Sequence, residues 1–155
     1  MTPCSRHTAR PYTAADRDEW RRMRQALWPQ PDAAAQLADM DLWLSQPDRV
    51  VLVVERDPGS PGRGLAGFAE VGTRSVVDSC ETSPVGYLEG WYVDPDMRLQ
   101  GVGTALVLGA EEWARARGLR EFGSDAQISN VGSQRAHAAL GFTETDRVVV
   151  YRKSL

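Results

Sequence analysis

Apolar residues near the start of the chain recur at helical spacing. Trp20, Met23 and Leu27 lie three and four positions apart, which predicts a helix with one buried face, capped by Thr13 or Asp16 and running to about residue 27. Trp28-Pro29 ends it, because the residue before a proline is pushed out of the α region. A second helix is predicted over residues 33–44. The period then shortens. Residues 8–11 and 49–56 read as strands, and the latter is β-branched. A turn of glycine and proline at 57–64 leads into a second arm at 65–73. Residues 75–84 are polar and irregular. Residues 85–93 form a strand, alternating Tyr87, Glu89, Trp91 and Val93 against Leu88, Gly90 and Tyr92. Asp94-Pro95 stops it. A helix over 102–117 aligns Leu106, Ala110, Trp113 and Ala114, with Gly118 just past its end. A short strand at 121–124, a helix at 133–140 closed by Gly141, and paired strands at 142–145 and 147–152 complete the chain. The order predicts one domain over 1–155, mixed α/β (α+β), built on a mostly antiparallel sheet.

Composition narrows the class. With 155 residues, 42% hydrophobic and 25% charged, the chain reads as globular. Its longest aliphatic run, residues 50–54, is far short of a membrane span. Residues 1–10 lack an apolar segment, so no secretory signal is expected. Cys4 and Cys80 have no metal-ligand spacing and form no disulfide framework, which predicts a metal-free cytoplasmic protein. A net charge of −3 and a pI near 5.4 do not suit a nucleic-acid binder. Placement of the charges says more. Residues 30–48 and 75–97 hold nine acids and no base, so the remainder of the chain is net +6. Acidic walls suit a cationic substrate, and arginines from Arg98 onward suit an anionic cofactor; a solvated acidic surface is the plainer alternative.

Chemistry concentrates in residues 93–104, where a strand ends and a glycine loop opens a helix. The first-turn N–H groups of a helix lack intrahelical partners, and the macrodipole there favours an anion. Gly101 and Gly103 allow a bulky anion close to the backbone, and Arg98 adds charge. A diphosphate cradle and a tight strand-to-helix turn both account for these glycines. The other nucleotide loops fit poorly: no Gly-Lys-Ser/Thr ending is present, and Leu106 stands where a third glycine would fall.

The arrangement Arg98-x-x-Gly101-x-Gly103 after a strand resembles the acyl-CoA loop of the GNAT superfamily of N-acetyltransferases. Residues 130–142, from Asn130 through Ser133, Ala136 and His137 to Leu140-Gly141-Phe142, resemble its later helix. The resemblance implies a GNAT fold whose mixed, mostly antiparallel central sheet has a splayed strand pair (85–93 and 121–124) and is flanked by helices. Acetyl-CoA would lie in the splay, its pantetheine arm on Trp91, Tyr92 and Val93. Its diphosphate would rest on Arg98, Leu99, Gln100, Gly101, Val102, Gly103 and Thr104, with Asn130 beside it.

Leu27-Trp28-Pro29, Ser83-Pro84-Val85, Leu88-Glu89-Gly90, Gly123-Ser124-Asp125 and Tyr151-Arg152-Lys153 look like the aminoglycoside 6′-N-acetyltransferases over nearly the whole chain. This implies antibiotic resistance by acetyl transfer in a ternary complex, a cationic sugar held by Trp28, Glu89, Asp125 and Asp146, and a homodimer. Glu89 would take the proton from the amine and Tyr151 would give one to the departing thiolate. Where many relatives carry Asp-Tyr, this chain has Ser75-Val76. Each residue also has a plainer reading: a salt bridge for Glu89, turn residues for Asp125 and Asp146, a helix-end core residue for Trp28, a sheet tyrosine for Tyr151. His137 is read as packing or cofactor-side, and Cys80 as structural. Peptide, lysine or polyamine acceptors, or a non-catalytic acyl-CoA-binding module, are the rival functions.

Overall fold

The computed structural model describes residues 6–57 and 64–155. Cys4 and most of the glycine-proline turn lie outside the described residues. Five strands, β1 (Arg10–Pro11), β2 (Val50–Glu55), β3 (Leu65–Arg74), β4 (Val85–Val93) and β5 (Phe122–Ser124), form one sheet in sequence order. The first four are antiparallel and β5 joins β4 in parallel. Helices α1 (Arg17–Leu27) and α2 (Ala33–Ser45) pack on one face, and α3 (Val102–Ala116) on the other; α4 (Val131–Ala139) follows β5.

Period-two patterning divides β2 between two cores. Val51 and Val53 meet Trp20, Met23, Met40 and Trp43 of α1 and α2, while Leu52 and Val54 join Leu106 and Ala110 of α3. Burying a side chain of this size stabilises the fold by roughly 1.5–3 kcal/mol. Short 3₁₀ turns at Ala14–Asp16 and Pro95–Met97 lead into α1 and the glycine loop. Asp16 accepts from the Thr13 amide at 2.8 Å and Asp32 from the Ala34 amide at 2.9 Å, which anchors the starts of α1 and α2. Among the described residues no helix is long and apolar enough to cross a membrane.

Two features depart from the sequence reading. First, the β3–β4 register slips: Glu70 faces Gly90 but Val71 faces Leu88, which leaves Glu89 as an extra, bulged residue. A bulge shifts side-chain alternation by one position. Trp91 therefore packs on the α3 face with Leu88, not beside Glu89 as strict alternation predicts. Second, the strands predicted at 142–145 and 147–152 are absent. Val148, Val149, Val150 and Tyr151 are 71–88% exposed. Their β-branched pattern favours a strand, but a strand needs a neighbour, and this segment has none among the described residues.

Candidate active site

The last ladder pair between β4 and β5 is Leu88 with Ser124, and β4 runs on for five residues beyond it. Residues 89–93 thus face an opening on the β5 side. At its root Ser124 Oγ donates to the Leu88 carbonyl at 3.2 Å and lies 2.8 Å from His137 Nε2. His137 Nδ1 lies 2.7 Å from the Ser133 carbonyl, and its ring meets Trp91 edge-on at 5.2 Å. Both ring nitrogens are engaged, so His137 is a packing residue that holds the Trp91 indole.

The Trp91 indole lies against α3. A Cβ added to Gly103 would stand 3.1 Å from Trp91 Cζ2, so this glycine lets the helix start approach the strand. Gly101 serves a different need: its φ of 91° is the left-handed conformation that glycine adopts without steric cost. It caps α3 with no side-chain bond to the first-turn amides, so the turn presents backbone donors outward. Exposed Leu99 also has positive φ, at 59°. Arg98 Nε donates to the Val93 carbonyl at 3.1 Å and Gln100 Nε2 to the Asp96 carbonyl at 2.7 Å, which folds the loop back on the strand end. Asn130 Oδ1 accepts from the Ser133 amide and caps α4. Tyr92 turns its ring away from the opening, toward Phe68.

The loop is anchored by an ion-pair network that the sequence did not reveal. Asp94 is buried and accepts from Arg22 at 2.8 and 2.9 Å and from Arg56 at 2.8 Å. Burial opposes its charge, yet the two guanidiniums outweigh that and hold the carboxyl below its ordinary value. Three distant segments, α1 and the residues just after β2 and β4, are tied at one point.

The other face carries the acids. Trp28, at the end of α1, lies over Gly90; a Cβ there would come within 2.4 Å of the indole. The bulge aims Glu89 into a cavity of about 380 Å³ with Trp28, Asp39 and Glu70. Glu70 is 1% exposed and accepts from Trp20 Nε1 at 3.0 Å and Arg24 Nε at 2.6 Å. Burial pushes its pKa up, against the pull of Arg24. Arg24 also lies 5.1 Å from the Trp28 ring centre. Glu89 accepts both Nε (2.8 Å) and Nη2 (2.7 Å) of Arg74, whose guanidinium sits 3.6 Å from the Tyr87 ring centre. Tyr87 donates its hydroxyl to Asp125 at 2.6 Å. Burial and Asp125 together push the phenol up, so it stays protonated.

Arg74, Tyr87, Asp125 and Asp146 line a second opening of about 1200 Å³ between β5, α4 and the C-terminal segment. Trp28 and Glu89 therefore share one cavity and Asp125 and Asp146 the other. Tyr151 lines neither and stands 88% exposed. Burial and Glu121 raise the Cys80 thiol, which keeps it protonated and unsuited to nucleophilic chemistry. Sequence reasoning overlooked Arg24, Glu70, Arg74 and Tyr87, whereas Asp39 belongs to the acidic stretch 30–48 expected to face a cationic substrate. A charge inside the apolar strand 65–74 was the one signal that marked Glu70.

A strand opened at a bulge, with a glycine-started helix at its exit and acids on its far face, defines an acyl-CoA-dependent transferase. The chain belongs to the GNAT acetyltransferase family, whose profile matches residues 17–142. Among its relatives is an aminoglycoside N(6′)-acetyltransferase type 1 of Klebsiella aerogenes, 43% identical over 150 residues, covering 94% of this chain and 95% of that one. A namesake from Stenotrophomonas maltophilia is 40% identical, covering 96% and 94%. The solved structure of AAC(6′)-Iy with the bisubstrate analogue CoA-S-monomethyl-acetylneamine superposes with a TM-score of 0.87 at 35% identity, covering 97% of this chain and 100% of that one. AAC(6′)-Iy in complex with CoA gives 0.87 at 34% identity, with 100% and 99% covered.

Proposed function

We propose that this chain is an aminoglycoside 6′-N-acetyltransferase that uses acetyl-CoA. The observation that carries the reading is the bulged Glu89, displayed in an acid-lined cavity on the strand whose continuation meets the glycine loop. The residues present fit acetyl-CoA. Trp91 Nε1 is buried without a hydrogen-bond partner, the α3 start carries no side-chain cap, and residues 89–93 have an open strand edge. Residues 98–104 would hold the diphosphate and the edge at 91–93 the pantetheine arm, with Asn130 nearby. When bound, acetyl-CoA supplies an activated acyl group that an amine takes by direct attack.

The chain's own residues do the rest. Trp28 offers an aromatic face to a sugar ring, and Glu89, Asp125 and Asp146 meet its ammonium groups. Glu89 accepts the proton that the 6′-ammonium sheds, directly or through water. Holding both substrates in line supplies much of the acceleration. A thiol-release panel tests the reading: turnover is expected with aminoglycosides bearing a 6′-amine and not with those lacking it. Turnover only with spermidine or a lysine peptide would transfer the activity to another acceptor, and turnover with none would leave an acyl-CoA-binding module.

A homodimer in the cytoplasm accompanies this reading. The exposed segment Val148 to Tyr151 and the outer edge of β5 are both without a strand neighbour among the described residues, and a second copy would serve both. The general-acid role for Tyr151 rests on that packing.

A further inference from the structure

Arg74 occupies the place where an acceptor's charge is expected. It is the last residue of β3, opposite Val85 in the ladder. Its side chain runs back along the sheet, crosses the Tyr87 ring and closes a two-pronged contact on Glu89. Both oxygens of that carboxylate are thereby taken by a guanidinium that no accessible pH deprotonates. Tyr87, under the guanidinium, holds Asp125 by its hydroxyl. Two of the three carboxylates assigned to the acceptor are thus linked through one arginine and one phenol. Arg74 also lines the larger cavity while its partner Glu89 lines the smaller, so their contact stands at the boundary between the two. Neither side chain is deeply buried, at 42% and 27% exposure. An ion pair this accessible to water exchanges readily.

We infer that Arg74 is a resident counter-ion which the cationic acceptor must displace from Glu89, and that this exchange joins the two cavities into one acid-lined cleft and sets the charge an acceptor needs to bind. The inference rests on the assignment of Glu89 to the acceptor. An ammonium approaching Glu89 meets an occupied carboxylate and a like charge. A monocation gains only what Arg74 gives up. A polycation that dislodges it gains Glu89 in the smaller cavity together with Asp125 and Asp146 in the larger, and keeps the released arginine in water. Arg74 is thus a specificity-determining residue that selects for several charges and acts on acceptor binding, remote from the acyl-CoA loop.

Steady-state kinetics with kanamycin on Arg74→Met, Glu89→Gln and the double variant test this. Methionine keeps an apolar stem on Tyr87 and removes the charge. Arg74→Met is expected to lower KM for kanamycin by about three- to tenfold, while KM for acetyl-CoA stays within about twofold. Glu89→Gln is expected to raise KM for kanamycin, and in that background the gain from Arg74→Met shrinks to under about twofold. If Glu89→Gln raises KM but Arg74→Met raises it too or leaves it unchanged, the counter-ion role is overturned and the acceptor role of Glu89 stands. If Glu89→Gln leaves KM unchanged, the premise falls instead. Arg74→Gln gives the same reading should the methionine variant fold poorly. Crystals grown with kanamycin supply a second readout: the guanidinium is expected off Glu89, and an intact Arg74–Glu89 contact beside bound sugar would overturn the proposal.

Discussion

At the scale of single residues, the site is made by close approaches that leave no slack. Gly90 lies under the Trp28 ring, and a methyl group there would meet the indole at 2.4 Å. Gly90→Ala is expected to swing this partly exposed ring aside at small cost in stability. KM for an aminoglycoside should rise several-fold, and a kinetic assay alongside a thermal melt separates the two effects. Glu70 is the opposite case. It is buried in the floor of the same cavity, paired with Arg24 and Trp20. Glu70→Leu strands the Arg24 guanidinium without its counter-charge and is expected to cost roughly 3–5 kcal/mol in urea unfolding, as for other broken buried pairs.

Elements transmit these local choices. The turn between β4 and α3 must bring backbone donors to one point, and Gly101 allows it by adopting φ of 91°. Gly101→Ala is expected to cost about 1–2 kcal/mol from left-handed strain, and to weaken coenzyme A binding measured by calorimetry. Asp94 holds the same turn from beneath. It shares a lowered pKa with Asp16, held by its bond to Arg10, and Glu19, held by Arg22. The folded state therefore binds fewer protons than the unfolded chain near these values. Stability from these groups is complete above about pH 5 and drains away as pH falls through their folded pKa values. Glu70, pushed upward by burial, works in the opposite sense. The melting temperature of Asp94→Asn, lower throughout, is expected to fall less steeply between pH 5 and 3 than that of the parent.

Across the whole molecule, the two faces of the sheet divide the packing: α1 and α2 with Trp28, Glu70 and Glu89 on one, α3 with the glycine loop on the other, while Asp125 and Asp146 line the opening beside β5 and α4. Much of this was legible in the sequence. Strand 85–93 is found at its expected limits, because Pro84 and Asp94-Pro95 punctuate it. The glycines at 101, 118 and 141 all take positive φ where helix boundaries were expected. What stayed hidden needs three dimensions. The bulge at Glu89 leaves no mark in an alternating pattern, since it depends on the facing strand. The contacts of Arg24, Arg74 and Asp94 join residues 15 to 72 positions apart, beyond any local spacing. The C-terminal residues carry a strand pattern that finds no strand neighbour among the described residues. Sedimentation of the intact protein is expected to give a dimer, and removal of residues 147–155 a monomer of reduced turnover.

The extra residue in β4 works like a half-step in a spiral stair. Before it the even-numbered treads turn to the α3 landing and after it the odd-numbered ones do, so Leu88 and Trp91 share that landing while Glu89 and Gly90 turn to the opposite one, where the proposed sugar would lie. Deleting any one residue between Tyr87 and Trp91 would cancel the half-step and turn the indole toward the sugar's landing.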